Sequence, residues 1–262
     1  MEVTSLQNPV VKKIRSVATR KGREREGSFW AEGIHIVMEA IETGWPVDRL
    51  VWCPDLLTSE PARRAIEEAD ADKVTVSEAV FRKMSDRDNP AGLGALLKTV
   101  HQSLGAVTPG KEGFLLVLDR PRDPGNLGTV IRTAASAGAS SLALVGTSTD
   151  PYDPRSVRAA MGALFALPVV WEAKIEGFLA WAKEHRLRLI GSSARGDTDY
   201  RRADYQRPFA LLLGSEQHGL DKALTAALDV NVRIPMAGRA SSLNLAAAAA
   251  VLVFAAANAG RE

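Results

Sequence analysis

Three short stretches of the chain combine glycine with hydrogen-bonding side chains, a composition suited to holding a ligand. They are DRPRDPGNLG at 119–128, GSEQHG at 214–219 and MAGRASS at 236–242. Glycine lets backbone N–H and C=O groups approach a ligand closely. A guanidinium beside helix N-terminal amides binds phosphate or stabilises a developing oxyanion. Arg132 suits this role, because it lies about one turn into a helix expected to start near Gly128.

Each stretch also has a purely structural interpretation. Asn126 lies near a helix start, in a segment built from the usual turn residues Pro, Gly and Asn. Glu216 could cap a helix that begins near Leu220. Ser242 could be the N-cap of the alanine-rich helix that follows it. Taken singly, the three stretches leave both interpretations open.

Apolar runs of strand length alternate with helical segments in the second part of the chain. The runs occupy 114–119, 141–146, 168–171, 187–193, 208–214 and 230–235, and the helical segments occupy 128–139, 154–167 and 175–186. This alternation predicts an α/β domain with a largely parallel sheet covered on both faces. Ligands bind such sheets in loops at the carboxyl ends of the strands, and the three stretches qualify by composition.

The first hundred residues are richer in charge and predict a small α/β domain. Helices are expected at 8–23 and between two strands at 49–54 and 73–77, and residues 27–44 suggest a strand turning into a helix that ends at Gly44. Residues 101–113 break the pattern with Gly and Pro and are the predicted linker. The predicted domains are therefore 1–100 and 114–262.

Composition excludes several classes of function. Of the 262 residues, 46% are hydrophobic and 24% charged, and the net charge of +2 offers no global argument for a polyanionic partner. The single Cys53 excludes an internal disulfide, and the four histidines lack zinc-site spacing, so no metal is expected. The longest apolar run, 245–257, is shorter than the roughly 20 residues of a membrane span. We therefore expect a cytoplasmic protein without a membrane segment or signal peptide.

Taken in order, three motifs resemble those of the SpoU/TrmH family of the SPOUT superfamily. They are NLGTVIRTAASAGA at 126–139, LLLGSEQHGL at 211–220 and IPMAGRASSLNLAAAAA at 234–250. Members of this family are S-adenosylmethionine-dependent RNA ribose 2′-O-methyltransferases. Residues 8–44 are similar to the opening of the family's substrate-binding domain, which is related to ribosomal L30e. Finer similarity at 44–47, 119–126 and 152–168 points to the 23S rRNA branch, including the avilamycin-resistance type of uridine 2′-O-methyltransferase.

The resemblance implies an architecture and a site. An L30e-like RNA-binding domain would precede a SPOUT domain with a deep trefoil knot, a feature that general topology rules disfavour. The knot would bind S-adenosyl-L-methionine, and the enzyme would be a homodimer that needs no metal. The catalytic residues implied are Arg132, Asn126, Glu216, Ser242 and Asn244. The cofactor contacts implied are Gly214, Ile234, Met236 and Leu243. Whether Arg132 is a base or an electrostatic stabiliser stays open.

The substrate RNA is expected to meet a basic patch in the first domain. The patch consists of Lys12, Lys13, Arg15, Arg20, Lys21, Arg23 and Arg25, and Arg120, Arg122, Arg155 and Arg158 could extend it. Phosphate contacts of this kind position RNA but carry little sequence choice. The alternatives are a tRNA methyltransferase of the same family and a non-catalytic RNA-binding protein. A nicotinamide-dependent oxidoreductase is the least favoured alternative, because the sequence lacks the Gly-x-Gly-x-x-Gly motif of dinucleotide-binding proteins.

Overall fold

The computed structural model describes residues 2–239 and 241–259. The chain forms two compact units, the first comprising Met1–Val100 with Asp150–Phe165 and the second His101–Thr149 with Ala166–Glu262. The sequence predicts one continuous domain over 114–262. In the structure, the segment Asp150–Phe165 instead packs with the first unit.

The described residues form helices and strands that we number along the chain. The helices are α1 (Pro9–Ser16), α2 (Arg20–Glu26), α3 (Ile34–Glu42), α4 (Glu60–Glu68), α5 (Glu78–Met84), α6 (Pro124–Ser136), α7 (Pro154–Ala160), α8 (Ala163–Ala166), α9 (Ile175–Glu184), α10 (Lys222–Ala226) and α11 (Leu245–Asn258). The strands are β1 (Ser28–Glu32), β2 (Val47–Trp52), β3 (Asp72–Thr75), β4 (Leu93–Lys98), β5 (Phe114–Asp119), β6 (Ser141–Val145), β7 (Val169–Glu172), β8 (Arg188–Ser192), β9 (Thr198–Asp199), β10 (Phe209–Leu213) and β11 (Val230–Arg233). Short 3-10 helices occupy Leu104–Ala106 and Tyr200–Arg202.

The first unit is built on a four-stranded sheet in the order β1-β4-β2-β3. The strands predicted at 49–54 and 73–77 are present as β2 and β3, which pair in parallel. Strand β4, antiparallel to both of its neighbours, is missing from the sequence prediction. Its Gly94 lies under the Trp30 indole, where any Cβ would collide with the ring. Glycine inside a strand commonly marks such a close approach.

The helix predicted at 8–23 is two helices. Helix α1 ends at Ser16, and α2 begins after Thr19, whose hydroxyl accepts a hydrogen bond from the N–H of Gly22. A Cβ on Gly22 would collide with the Ser16 carbonyl, so this position needs glycine. The break depends on this close approach of two backbone segments, which hydrophobic periodicity does not reveal.

The second unit contains a seven-stranded sheet in the order β7-β6-β5-β10-β8-β11-β9, with every pair parallel. All six apolar runs predicted as strands are confirmed. Every residue of β5, β6 and β10 is buried, as expected for a parallel sheet covered on both faces. Helix α11 packs on α6 and β10, which places the alanine-rich segment against the centre of this sheet.

Two predicted segments differ in the structure. The helix expected at 154–167 divides into α7 and α8 because Met161 and Gly162 both have positive φ angles, of 49° and 91°. The predicted linker at 101–113 belongs to the second unit. Its Leu104 is 3% exposed and joins the core of that unit.

Among residues 2–239 and 241–259, every helix is too short or too polar to cross a bilayer.

A buried ion pair fixes the segment Asp150–Phe165 to the first unit. Arg23 is 3% exposed, and its Nε and Nη2 atoms lie 2.7 Å from Oδ2 of Asp150. Nη1 donates to the carbonyls of Val17 and Ala18, each at 3.1 Å. The Arg23 guanidinium is therefore buried and paired within the protein. The expectation that Arg23 joins an RNA-binding patch is wrong.

The rest of the predicted patch is also partly paired. Lys13 contacts Asp48 at 2.6 Å, Arg20 contacts Glu24 at 3.0 Å, and Arg25 contacts Glu26 at 2.8 Å. The remaining members are exposed and have no ion-pair partner among the described residues; they are Lys12, Arg15 and Lys21. The free positive charge on α1 and α2 is thus smaller than the sequence indicates.

Replacing Arg23 tests the importance of its ion pair. We expect Arg23→Ala to lower the free energy of unfolding by about 3 kcal/mol, because it leaves the Asp150 carboxylate buried without its partner. Arg20→Ala, in the same helix but at an exposed pair, should cost less than about 1 kcal/mol. Urea unfolding measures both. Equal effects would show that the buried pair does not anchor the segment.

Candidate active site

The site is assembled where the sheet of the second unit changes its strand order. Strand β5 lies between β6, which follows it in the chain, and β10, which comes much later. In open parallel sheets this arrangement leaves a crevice at the carboxyl ends of the two strands, where ligands bind. The first two polar stretches follow β5 and β10 directly. Both therefore begin at this crevice.

A buried carboxylate joins these two stretches. Asp119 ends β5, and its side chain is completely buried. Its Oδ1 accepts from Nε of Arg120 at 2.8 Å, and its Oδ2 accepts from Nη2 of Arg120 at 2.9 Å. Oδ2 also accepts from the backbone N–H of Asp221, at 2.7 Å. One side chain thus fixes the loops after β5 and β10 to each other.

Arg120 is held in an unusual conformation by this network. Its φ angle is 51°, in the left-handed region that non-glycine residues seldom adopt. The hydrogen bonds that the Arg120 guanidinium donates to Asp119 raise the pKa of Arg120, and Oδ2 of Asp221 lies 3.5 Å from Nη2. Arg120 was expected to extend the RNA-binding patch. In the structure its guanidinium is paired with Asp119 while the side chain remains 33% exposed, so contact of Arg120 with RNA stays a prediction.

A second contact between the loops involves two predicted catalytic residues. Nδ2 of Asn126 donates to Oε1 of Glu216 at 2.9 Å, across 90 positions of sequence. Asn126 lies in the first turn of α6, where its backbone N–H is capped by Asp123 at 2.8 Å. Glu216 does not cap the next helix, since Asp221 is the N-cap of α10. The two side chains predicted for one site are therefore in contact.

Arg132 is placed differently from the sequence expectation. Helix α6 begins at Pro124 and not near Gly128, so Arg132 lies eight residues in, about 12 Å along the axis. It is not beside the N-terminal amides. Its side chain is exposed and has no hydrogen-bond or ion-pair partner among the described residues. The guanidinium is therefore free to contact a ligand outside the protein.

The third stretch follows β11 and contains the remaining predicted residues. Ile234 is half-buried, whereas Met236 and Leu243 are 38% and 40% exposed. Ser242 is also exposed. Within the described ranges 234–239 and 241–243, no hydrogen bond joins this stretch to the first two. The third stretch is instead connected to the first two through α11, the helix that follows it, because α11 packs on α6 and β10.

Asn244 is the N-cap of α11. Its Oδ1 accepts from the N–H of Ala247 at 2.8 Å, so the interpretation of Ser242 as the cap is wrong. An N-cap asparagine satisfies one of the unpaired amides at the start of a helix. The amide nitrogen of Asn244 has no protein partner among the described residues. Asn244 thus fixes the helix start and keeps a donor.

Gly214 is required by its own loop. A Cβ at this position would collide with the backbone of Gly219 and Leu220. The loop closes through a 2.9 Å hydrogen bond from the N–H of Gly219 to the carbonyl of Ser215. Gly214 therefore has a structural explanation that does not depend on a ligand.

Asp119 and Asp221, which connect the loops, are not among the site residues predicted from the sequence. The available signal was an aspartate at the end of a fully apolar strand, where a charge must be paired. Groups of three or more potential metal-ligating side chains are absent from the described part of the chain.

The Asp119 network can be tested by an isosteric change. Asp119→Asn places an N–H₂ group against existing donors, and we expect the free energy of unfolding to fall by roughly 2 kcal/mol. Asp204→Asn is the matched control, because Asp204 pairs with Arg188 at 2.7 Å while remaining 65% exposed. Chemical denaturation compares the two variants. A larger loss for Asp204→Asn would contradict a central role for Asp119.

Comparison with known proteins supports the resemblance seen in the motifs. The SpoU rRNA Methylase family matches residues 113–254, and the MRM3-like substrate binding domain matches residues 8–95. A 23S rRNA (uridine(2479)-2′-O)-methyltransferase of Streptomyces viridochromogenes is 34% identical, covering 91% of this chain and 85% of the relative. The 23S rRNA (guanosine(2553)-2′-O)-methyltransferase RlmP of Bacillus subtilis is 29% identical, covering 97% and 98%.

Solved structures are similar along nearly the whole chain. The AdoMet-bound rRNA methyltransferase from Sinorhizobium meliloti has a TM-score of 0.89 and 40% identity, covering 98% of this chain and 97% of its own. The SpoU methyltransferase AviRb from Streptomyces viridochromogenes, in complex with AdoMet, also has a TM-score of 0.89, with 30% identity and coverage of 96% and 98%.

Proposed function

Because the chain belongs to the SpoU rRNA methylase family, we propose that it transfers a methyl group from S-adenosyl-L-methionine to a ribose 2′-hydroxyl of 23S rRNA. The observation that carries this proposal is the meeting of the first two motif loops at the sheet crevice, through Asn126 and Glu216. Two relatives named as 23S rRNA 2′-O-methyltransferases, each aligned over more than nine-tenths of this chain, support the same substrate. An enzyme acting on rRNA agrees with the cytoplasmic location predicted from the sequence.

The target nucleotide is proposed to be a uridine. The relative that modifies a uridine is 34% identical to this chain, and the relative that modifies a guanosine is 29% identical. Mapping the methylated position on rRNA distinguishes the two.

The cofactor is proposed to lie against the backbone of Gly214, Ile234, Met236 and Leu243. The fit is supported by the large exposed apolar side chains of Met236 and Leu243, which suit the adenine and methionine portions of the molecule. When bound, S-adenosyl-L-methionine supplies an electrophilic methyl group. We infer that residues 234–244 pass through the predicted trefoil knot. We also infer that α11, with Phe254 44% exposed, meets the second subunit of a homodimer.

Arg132 is proposed to act on the nucleophile. A ribose hydroxyl is a poor nucleophile and needs proton removal or stabilisation of the developing alkoxide. A guanidinium stays protonated at neutral pH, so its use as a base first requires a costly deprotonation, whereas it is an effective charge-assisted donor. We propose that Arg132 binds the neighbouring phosphate and stabilises the alkoxide.

The other catalytic residues are proposed to shape the polar wall around the ribose. Asn126 and Glu216 restrain each other and hold the two loops at a fixed separation. Ser242 contributes a hydroxyl, and Asn244 contributes the amide N–H that its capping role leaves available. Their task is to orient the ribose, a contribution distinct from the charge of Arg132.

Replacing Arg132 tests its role. We expect Arg132→Ala to reduce methyl transfer by at least about 100-fold, as loss of an oxyanion donor does, while binding of S-adenosyl-L-methionine persists. Arg195→Ala, which removes another exposed arginine of the second unit, should retain activity. The measurements are transfer of labelled methyl to RNA and calorimetry of cofactor binding. Full activity of Arg132→Ala would exclude its catalytic role.

The substrate class is tested with separate pools of tRNA and unmodified 23S rRNA. We expect label on 23S rRNA at one 2′-O-methyl position. Label confined to tRNA would favour the alternative enzyme of the same family. Failure to bind the cofactor at all would favour a non-catalytic RNA-binding protein.

A further inference from the structure

A cleft in the first unit lies outside the three motif stretches. Its polar lining comes from β1, from the segment after α5 and from α7; the side chains are Glu32, Asp86, Arg87 and Arg158, with the Trp30 indole beside them. None of these residues belongs to the proposed methyl-transfer site. The cleft therefore needs its own explanation.

Hydrogen bonds hold Glu32 in place inside this cleft. Its Oε1 accepts from the Ser85 hydroxyl at 2.6 Å, and Arg87 donates to its backbone carbonyl at 3.3 Å. Burial raises the pKa of Glu32 above that of an ordinary glutamate. The Ser85 hydroxyl, the Arg87 charge and the nearby Trp30 indole act against this rise in the Glu32 pKa. The buried Trp30 N–H itself meets no hydrogen-bond partner among the described residues. The second carboxylate oxygen is thus available as an acceptor.

The charges in the cleft select the chemistry of a ligand. Two carboxylates, Glu32 and Asp86, face two guanidiniums, Arg87 and Arg158. Arg158 is exposed and has no ion-pair partner among the described residues. A phosphate would meet both carboxylates, so a neutral group that presents donors and an acceptor together fits better.

The Watson–Crick edge of guanine has this pattern. It presents two neighbouring N–H donors, N1 and N2, next to the acceptor O6. A carboxylate binds the two donors as a pair, and a guanidinium donates to O6. Uracil offers one N–H donor on this edge, and adenine and cytosine offer donors from one amino group. Unstacked bases in single-stranded RNA are commonly recognised by this edge.

We propose that the cleft binds the Watson–Crick edge of an unpaired guanine in the substrate RNA, with Glu32 as the acceptor and Arg158 as the donor. This rests on the proposed function, because it takes the substrate to be RNA. The motif stretches contribute nothing to the cleft, so the guanine is a recognition nucleotide and not the methylated one.

Fluorescence anisotropy with short uridine-rich RNAs tests the proposal. The RNAs carry guanosine, inosine or adenosine at one central position. Inosine lacks the exocyclic amino group, so the wild-type protein should bind the guanosine RNA about tenfold more tightly than the inosine RNA. The adenosine RNA should bind more weakly than both. Equal affinities for the three RNAs would overturn the proposal.

Two variants separate the roles of the cleft residues. Glu32→Gln keeps an oxygen for Ser85 and should abolish the preference for guanosine over inosine. Arg158→Gln should weaken binding of both RNAs by a similar factor, because both keep O6. Glu67→Gln, an exposed glutamate of the same unit, is the matched control and should keep the preference. Thermal unfolding of each variant verifies that it is folded.

Methyl transfer to 23S rRNA distinguishes failure of this proposal from failure of the proposed function. Normal transfer by the wild type, with an unchanged guanosine preference in Glu32→Gln, overturns the cleft assignment alone. Absence of transfer by a wild type that prefers guanosine overturns the proposed reaction and leaves the cleft assignment standing.

Discussion

The candidate site depends on one buried carboxylate. Asp119 has no exposed surface, so its charge must be compensated within the protein, and the loops after β5 and β10 supply the compensation. The left-handed conformation of Arg120 is retained because Nε and Nη2 of its guanidinium both donate to the Asp119 carboxylate. The Asn126–Glu216 contact lies at the same pair of loops and is comparatively exposed. A rigid buried contact thus supports a more accessible one.

The fold of the second unit is predictable because its strands are buried on both faces. Such strands are continuous apolar runs, which stand out in the sequence without any knowledge of their neighbours. Strand β4 and the break between α1 and α2 were not predictable in this way. They depend on Gly94 beneath an indole and on Gly22 against a carbonyl. Each position requires glycine because of a contact that exists only in the folded protein.

The site was only partly predictable for the same reason. Composition marked the three loops, and the family resemblance placed Asn126 and Glu216 in one site. Their hydrogen bond to each other was not predicted, since no local signal connects residues 90 positions apart. The register of α6 was misjudged because Asp123 and Pro124, the cap and first residue of the helix, were assigned to the loop. Pro at the first helical position is a known start signal. That error of four residues moved Arg132 by more than one turn relative to the helix start.

The path of the chain through the two units has a consequence for how such proteins can be recombined. Residues Asp150–Phe165 leave the second unit, contribute α7 to the first and return, so the polypeptide passes between the units three times. The first unit is consequently not a module that can be exchanged by cutting near residue 100. A chimera joined there would inherit Arg23 from one parent and Asp150 from the other. Successful exchange requires the two segments to be transferred together, as one discontinuous block.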